Sequence, residues 1–201
     1  MEPARTIDGE SAANLGLYQT RLVADHEGAE QWTVRVALRD RRGALAAIAS
    51  SFAGAGIAVC SAHIATGPGG VVIDVFRVDA SEWTDWDRVR SRIDAGLVAG
   101  YGRTPSEAVD ATLAIAPDGT GARSIIEVRA EDRVGLLAKV AAAISRAGVE
   151  IHQATITTIG TEAIDVFEVT GRTGAALTAA DKRALRAAFA GKRVRRSVRR
   201  R

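Results

Sequence analysis

The feature that most constrains the fold of this chain is an internal repeat with a spacing of about 92 residues. The run Asp40-Arg41-Arg42-Gly43 recurs as Asp132-Arg133-Val134-Gly135. Because turn, core and cap positions recur together, the chain is predicted to fold as two copies of one unit. The apolar positions and the closing glycine that follow each run also correspond: Leu45, Ile48, Phe52 and Gly56 in the first copy match Leu137, Val140, Ile144 and Gly148 in the second.

Each copy predicts a strand, a helix, two further strands and a second helix. In the second copy, residues 126–130 alternate apolar and polar side chains, as expected of a half-buried strand. Apolar residues at helical spacing follow over 137–144, and strands are expected over 149–157 and 163–169.

The second helix of each copy is predicted to begin at a threonine. Thr84 with Asp87, and Thr178 with Asp181, have the spacing of a capping box, in which the side chains bond to the first backbone N–H groups. Gly148 is expected to close the first helix of the second copy in the left-handed conformation.

This element order predicts the α+β class, with two ferredoxin-like (βαββαβ) domains in tandem, each an antiparallel sheet with helices on one face. The fourth strand of the first domain is expected over 111–116. No comparable strand follows the last helix, because Val194 and Val198 lie among seven cations. Residues 21–29, which resemble residues 113–121, are therefore predicted to complete the second sheet. The predicted parts are a disordered segment over 1–20, domains over 21–116 and 117–191, and a basic tail over 192–201.

The positive charge of the chain is concentrated in that tail. The formal net charge is +3, and removing the seven cations of residues 192–201 leaves −4. Such a run is either a salt-dependent contact to nucleic-acid phosphates or a solvated end. The high isoelectric point therefore says little about the folded part.

Targeting signals are weak in this sequence. No apolar run approaches the ~18 residues of a transmembrane helix, and the first residues lack the apolar stretch of a signal peptide. A single cysteine, Cys60, excludes an internal disulfide framework. A cytoplasmic protein without membrane contact is expected.

The second copy resembles the ACT domain family. It reads Val-x-Ala-x-Asp-Arg-x-Gly-Leu-Leu over residues 128–137 and ends in Asp165-Val166-Phe167. More narrowly, residues 30–200 are similar to the tandem ACT domains at the C-terminus of bacterial PII-protein uridylyltransferases. The first copy departs more, with Arg42 where the family usually has proline and Ala44 where it has leucine.

The resemblance implies a non-catalytic regulatory protein that senses a free amino acid, with glutamine as the first candidate, and acts through a protein partner in nitrogen or amino-acid metabolism. No cofactor and no metal are expected, and a homodimer is possible. The catalytic domains of the uridylyltransferases have no room in 201 residues. The alternative function is a transcriptional regulator of the double-ACT type, for which the basic tail is the argument, although nucleic-acid binding is not expected.

The ligand is expected at the turn between the first strand and first helix of each copy. Gly43 and Gly135 let N–H groups at a helix N-terminus approach a carboxylate, and Asp40 or Asp132 accepts a bond from an ammonium group. The structural alternative is that these residues only shape the turn and cap the helix. The candidate residues are Asp132, Arg133, Val134, Gly135, Leu136, Leu137, Glu150, Ile151 and His152 in the second copy, and Asp40, Arg41, Arg42, Gly43, Ala44, Leu45, Ala58 and Val59 in the first.

Other polar residues are expected to be structural. Asp74 and Asp165 recur in apolar strands and are predicted to bond to a neighbouring loop, with a pair of active-site carboxylates as the alternative. His63 is expected on the sheet surface and Cys60 in the core. No metal-ligand spacing, phosphate loop or nucleophile–base pattern is present in the sequence.

Overall fold

The computed structural model describes residues 15–65, 70–100 and 107–191. Within these residues, eight strands and four helices follow one another in the order that the repeat predicts. They are β1 (Arg21–Gly28), β2 (Gln31–Arg39), α1 (Ala44–Ala53), β3 (Ala58–Ala65), β4 (Val71–Asp79), α2 (Trp86–Ala99), β5 (Thr112–Pro117), β6 (Ser124–Glu131), α3 (Leu136–Ala147), β7 (Glu150–Ile159), β8 (Glu162–Thr170) and α4 (Ala179–Phe189).

All eight strands belong to one antiparallel sheet, in the order β1-β2-β4-β3-β7-β8-β6-β5. The first four strands come from the first copy and the last four from the second, so the two halves are mirror-ordered about the centre. The halves join through β3 and β7, where Ser61 opposes Thr157 and Ala65 opposes Gln153. The predicted α+β class, with two ferredoxin-like units in tandem, is confirmed.

The predicted partners of the edge strands were wrong. β1 pairs with β2 of its own copy, from Arg21 opposite Ala37 onward, and does not reach the second sheet. β5 pairs with β6, so the strand assigned to the first domain completes the second instead. Each edge strand precedes its neighbour across a short hairpin, and closing a short loop costs less entropy than a long connection. This pairing moves the division between the units from residue 116 to a point before Thr112.

The start of the chain is ordered earlier than predicted. Residues 15–20 were expected to be disordered. Leu15 packs on the sheet face opposite the helices, and Arg39 Nε donates to its carbonyl at 3.1 Å. Thr20 Oγ1 donates to Asp94 of α2 at 2.8 Å. Residues 1–14 and the predicted tail over 192–201 lie outside the described residues.

One continuous apolar core fills the space between the sheet and the helices. Val34, Val36 and Leu38 of β2 point into it at alternate positions, as the period-2 pattern predicts. Phe52 of α1 packs edge-to-face on Phe76 of β4 with ring centroids 5.2 Å apart. Helix α1 packs on α3, so buried residues of both copies form a single cluster. None of the helices described is both long and apolar enough to cross a membrane.

The predicted caps are confirmed in the second copy and wrong in the first. Thr178 and Asp181 form a reciprocal capping box at α4, and Gly148 closes α3 at φ 79°. Helix α2 begins one residue later than predicted, because the Asp85 carboxylate, not the Thr84 hydroxyl, accepts from Arg88 N–H. A carboxylate also carries the charge that a helix N-terminus favours.

The capping difference is directly testable. Asp85→Ala should lower the free energy of unfolding by about 1 kcal/mol because it removes an N-cap, whereas Thr84→Ala should change it by less than about 0.5 kcal/mol. Thr178→Ala should behave like Asp85→Ala. Urea denaturation of the three variants measures this, and a loss at Thr84 equal to that at Asp85 would contradict the assignment.

Candidate functional site

Each copy makes the same left-handed turn between its inner strand and its first helix. Gly43 has φ 86° and Gly135 has φ 89°, values that side chains other than glycine rarely adopt. In each turn the residue after the glycine donates its N–H to an arginine carbonyl: Ala44 to Arg41 at 3.1 Å, and Leu136 to Arg133 at 3.0 Å.

The second turn forms one wall of a cleft of about 220 Å³ between the two copies. Helix α1 and the beginning of β3, both from the first copy, form the facing wall. A Cβ atom added at Gly135 would lie 3.6 Å from that of Ala53. The cleft is lined by Ala49, Ala53, Ile57, Ala58, Val59, Asp132, Arg133, Val134, Gly135, Leu136, Leu137, Ala138, Ile156, Thr158, Ala163 and Asp165. We call this cavity the second cleft.

The first turn forms a corresponding cleft, the first cleft, against α3 and the beginning of β7. It is much smaller, about 30 Å³. Its lining residues are Asp40, Arg41, Arg42, Gly43, Ala44, Leu45, Ala46, Ile64, Val72, Asp74, Ala141, Ser145, Val149, Glu150 and Ile151.

The two clefts are related by the internal repeat, but their facing walls differ. At the wall positions where the second cleft has Ala53, Ala58 and Val59, the first cleft has the larger Ser145, Glu150 and Ile151. These larger side chains reduce the free space in the first cleft and add a carboxylate to it.

The structure therefore groups the candidate residues differently from the prediction. Glu150 and Ile151 were expected beside Asp132, but they line the first cleft with Asp40, and Ala58 and Val59 line the second cleft. The exchange follows from the pairing of β3 with β7, which places the start of each of these strands under the turn of the other copy. A pattern within one copy cannot show which copy supplies the facing wall.

His152 lies outside both clefts. It occupies a bulge in β7, where the register shifts between Ile151 and Gln153, and its Nε2 hydrogen-bonds with Thr170 Oγ1 at 2.8 Å. Cys60 holds the corresponding bulge position in β3 and is half-buried, not in the core as expected. A bulge turns one side chain away from the regular alternation of a strand.

The prediction did not include Asp74 and Asp165 among the residues of the clefts. Each is 1% exposed, and each lines its own cleft. The Oδ1 atoms of both have no hydrogen-bond partner among the described residues, so the expected bond to a neighbouring loop is absent there. Their recurrence in two apolar strands was the available signal, because a buried acid that is kept in both copies requires an explanation.

Burial determines the protonation of these two acids. Desolvation, with a smaller contribution from the negative charge of Asp132, raises the pKa of Asp165 to about 7. Desolvation and the charge of Asp40 raise the pKa of Asp74 well above its usual range. In each copy, therefore, the aspartate of the turn acts on the buried aspartate beneath it.

The turns are held by different contacts. Asp132 accepts from Thr158 Oγ1 at 3.0 Å, and its N–H donates to the Thr161 carbonyl at 2.8 Å. In the first turn, Arg41 donates to the Leu17 carbonyl at 3.4 Å and lies over the Tyr18 ring, 4.5 Å from its centroid. Within the described part of the chain, no cluster of three or more histidine, cysteine or acidic residues is arranged to hold a metal ion.

The profile of the ACT domain family matches residues 124–187, which contain the second turn, α3, β7, β8 and most of α4. The second repeat is an ACT domain. The first repeat has the same element order and its mirror position in the sheet, so the chain has a tandem ACT fold. ACT domains are regulatory modules, and amino acids are their usual ligands.

The curated relatives are bifunctional uridylyltransferase/uridylyl-removing enzymes. That of Methylococcus capsulatus is 47% identical over 64 residues, 31% of this chain and 7% of the relative. That of Phenylobacterium zucineum is 30% identical over 169 residues, 75% of this chain and 18% of the relative. That of Nitrobacter hamburgensis is 27% identical over 195 residues, 81% and 21% respectively. The chain thus spans at most about a fifth of these relatives.

The raised pKa of Asp165 predicts a pH-dependent stability. The folded pKa of about 7 exceeds the ordinary 3.8, so the stability from the neutral acid is complete below 3.8 and is lost as pH rises through 7. When the pH is raised from about 5 to about 8, the free energy of unfolding of Asp165→Asn should increase by roughly 2–3 kcal/mol relative to that of wild type. Urea denaturation at both pH values measures this difference. Parallel pH profiles for the two proteins would contradict it.

Proposed function

We propose that this chain is a non-catalytic regulatory module that binds one free amino acid in the second cleft and transmits its presence to a protein partner. The observation that carries the proposal is the cleft itself, which lies between the two copies and combines a helix N-terminus with acidic side chains. A ligand there contacts both copies at once, so its binding is coupled to how they pack together.

The N-terminus of α3 supplies the binding site for the ligand carboxylate. Gly135 is the N-cap residue of helix α3, and no side chain in the described part of the chain accepts a hydrogen bond from this end of the helix. The N–H groups of Leu137 and Ala138 belong to the first turn, which has no acceptor within the helix. Both residues line the cleft, and the helix dipole favours an anion at this end.

The acids of the second cleft supply the negative charge that an ammonium group needs. Asp132 stands at the rim, oriented by Thr158, while Asp165 lies beneath the turn. The carboxylate and the ammonium group of a zwitterion therefore each have a partner of opposite charge in this cleft. The apolar facing wall of Ala53, Ala58 and Val59 leaves room for the side chain of the ligand.

The second cleft is favoured over the first because of space. Ser145, Glu150 and Ile151 narrow the first cleft, and Arg41 is held by the N-terminal segment. We assign ligand binding to the second cleft and a supporting role in the sheet junction to the first. By family resemblance, glutamine is the first amino acid to test, and nitrogen metabolism is the first context.

A thermal-shift screen of the free amino acids tests the proposal. A ligand that binds the folded state alone raises the unfolding temperature by an amount that grows with the logarithm of its concentration over Kd. Calorimetry should then show that Asp132→Ala weakens binding by roughly 1.5–3 kcal/mol, the range for a hydrogen bond to a charged group. Glu131→Ala, which removes a neighbouring exposed acid outside the second cleft, is the matched control. If no amino acid binds wild type, the sensing function is refuted; if both variants bind equally, the site lies elsewhere.

The alternative, a nucleic-acid-associated regulator, rests on the basic tail over 192–201. Removing its cations leaves the rest of the chain at −4, which repels phosphates. We therefore expect no nucleic-acid binding by the full chain at physiological salt, and no difference after deletion of 192–201. Fluorescence anisotropy at several salt concentrations measures this, and tight, sequence-selective binding that disappears with the tail would establish the alternative.

A further inference from the structure

Asp165 is a buried carboxylate that the fold does not satisfy. It is 1% exposed, and its Oδ1 has no hydrogen-bond partner among the described residues. Burying an unsatisfied polar group costs free energy, and a neutral or apolar side chain at this position of β8 would avoid that cost. The same unsatisfied acid at Asp74 shows that the arrangement is a property of the repeated unit.

The surroundings of Asp165 are open towards the second cleft. From the turn, Asp132 and the exposed Arg133 face the cleft, and β7 contributes the Thr158 hydroxyl, which is committed to Asp132. Helix α1 contributes Ala49 and Ala53, and the start of β3 contributes apolar residues. No hydrogen bond or ion pair from any of these elements to Asp165 is present in the described structure.

The second cleft thus holds two unsatisfied groups of opposite polarity. One is the N-terminal turn of α3, whose first N–H groups have no acceptor within the helix and no side-chain cap among the described residues, and the other is the Asp165 carboxyl group beneath it. Two such groups complement an α-amino acid, whose carboxylate and ammonium are separated by a single carbon atom. An inorganic anion would satisfy the helix and leave Asp165 unpaired.

We propose that Asp165 is the acceptor for the ligand's ammonium group in the second cleft, and that Asp132 at the rim assists it. This inference rests on the proposed function, because it assigns one residue role within the same site. It also defines the ligand class: an amino acid with a free α-ammonium group binds, and its N-acetylated or deaminated analogue does not.

Binding of this kind is coupled to a proton. In the free protein the Asp165 carboxyl group is only partly ionised at neutral pH, because burial and the charge of Asp132 raise its pKa to about 7. An ammonium ligand requires the ionised carboxylate, so the proton leaves on binding. Below about pH 6, the affinity should therefore fall about tenfold for each unit by which the pH is lowered. Calorimetry at neutral pH in buffers of different ionisation enthalpy should show that a fraction of one proton is released on binding.

The repeat supplies a matched control. Asp165→Asn and Asp74→Asn make the same change at corresponding buried positions, so both remove an unsatisfied acid from an apolar strand. Asp165→Asn should weaken binding of the screened amino acid roughly 10- to 150-fold and abolish the pH dependence. Asp74→Asn should leave the affinity within about twofold of wild type, because it lies in the first cleft.

Calorimetry of wild type and both variants, with the amino acid and its N-acetyl analogue, decides the matter. Unchanged affinity in Asp165→Asn, or equal losses in the two variants, overturns the assignment while leaving amino-acid sensing intact. If wild type binds no amino acid, the proposed function fails and this inference fails with it. If Asp165→Asn does not fold, the pH profile and proton release of wild type remain, and a flat profile with no proton release overturns the assignment.

Discussion

The pairing of β3 with β7 is the interaction on which the rest of this structure depends. It joins two four-stranded halves into one sheet and thereby brings α1 against α3. Because the paired strands are antiparallel, each begins beneath the turn of the other copy. The two clefts exist only as a consequence of this junction, and a chain with a single copy would leave each turn facing solvent.

The two clefts share the residues that shape the turn and differ in the wall that faces it. Both copies keep the glycine turn, the aspartate of the turn and the buried aspartate, which are the parts that shape one end of a helix and the strand below it. The copies differ in the wall that each lends to its neighbour, where Ala58 in one cleft corresponds to Glu150 in the other. The difference in the wall changes the space in the cleft and leaves the turn the same in both copies.

A buried carboxyl group in an apolar strand lowers stability at neutral pH, because the fold must either hold it protonated or bury its charge, and both copies contain such a group. A buried acid that lowers stability and lines a cleft is a candidate for function, because a bound ligand can supply the hydrogen bond that the fold does not. The match of residues 124–187 to the ACT domain family agrees with a regulatory role.

The sequence alone determined the repeated unit, its element order, the glycine turns and the Thr178 capping box, because these depend on local spacing and on backbone preferences of single residues. It could not determine that Asp85 caps α2 in place of Thr84, that β1 and β5 stay in their own units, or that Ala58 and Glu150 exchange partners between copies. The pairing of the edge strands and the exchange of walls depend on which segments meet across the sheet, and contacts between distant segments leave no local pattern. Thr84 and Asp85 are adjacent and both are favoured N-cap residues, so residue preference alone does not choose between them. The burial of Asp165 was likewise decided by the tertiary structure, since only the packing of α1 on α3 closes the cleft around it.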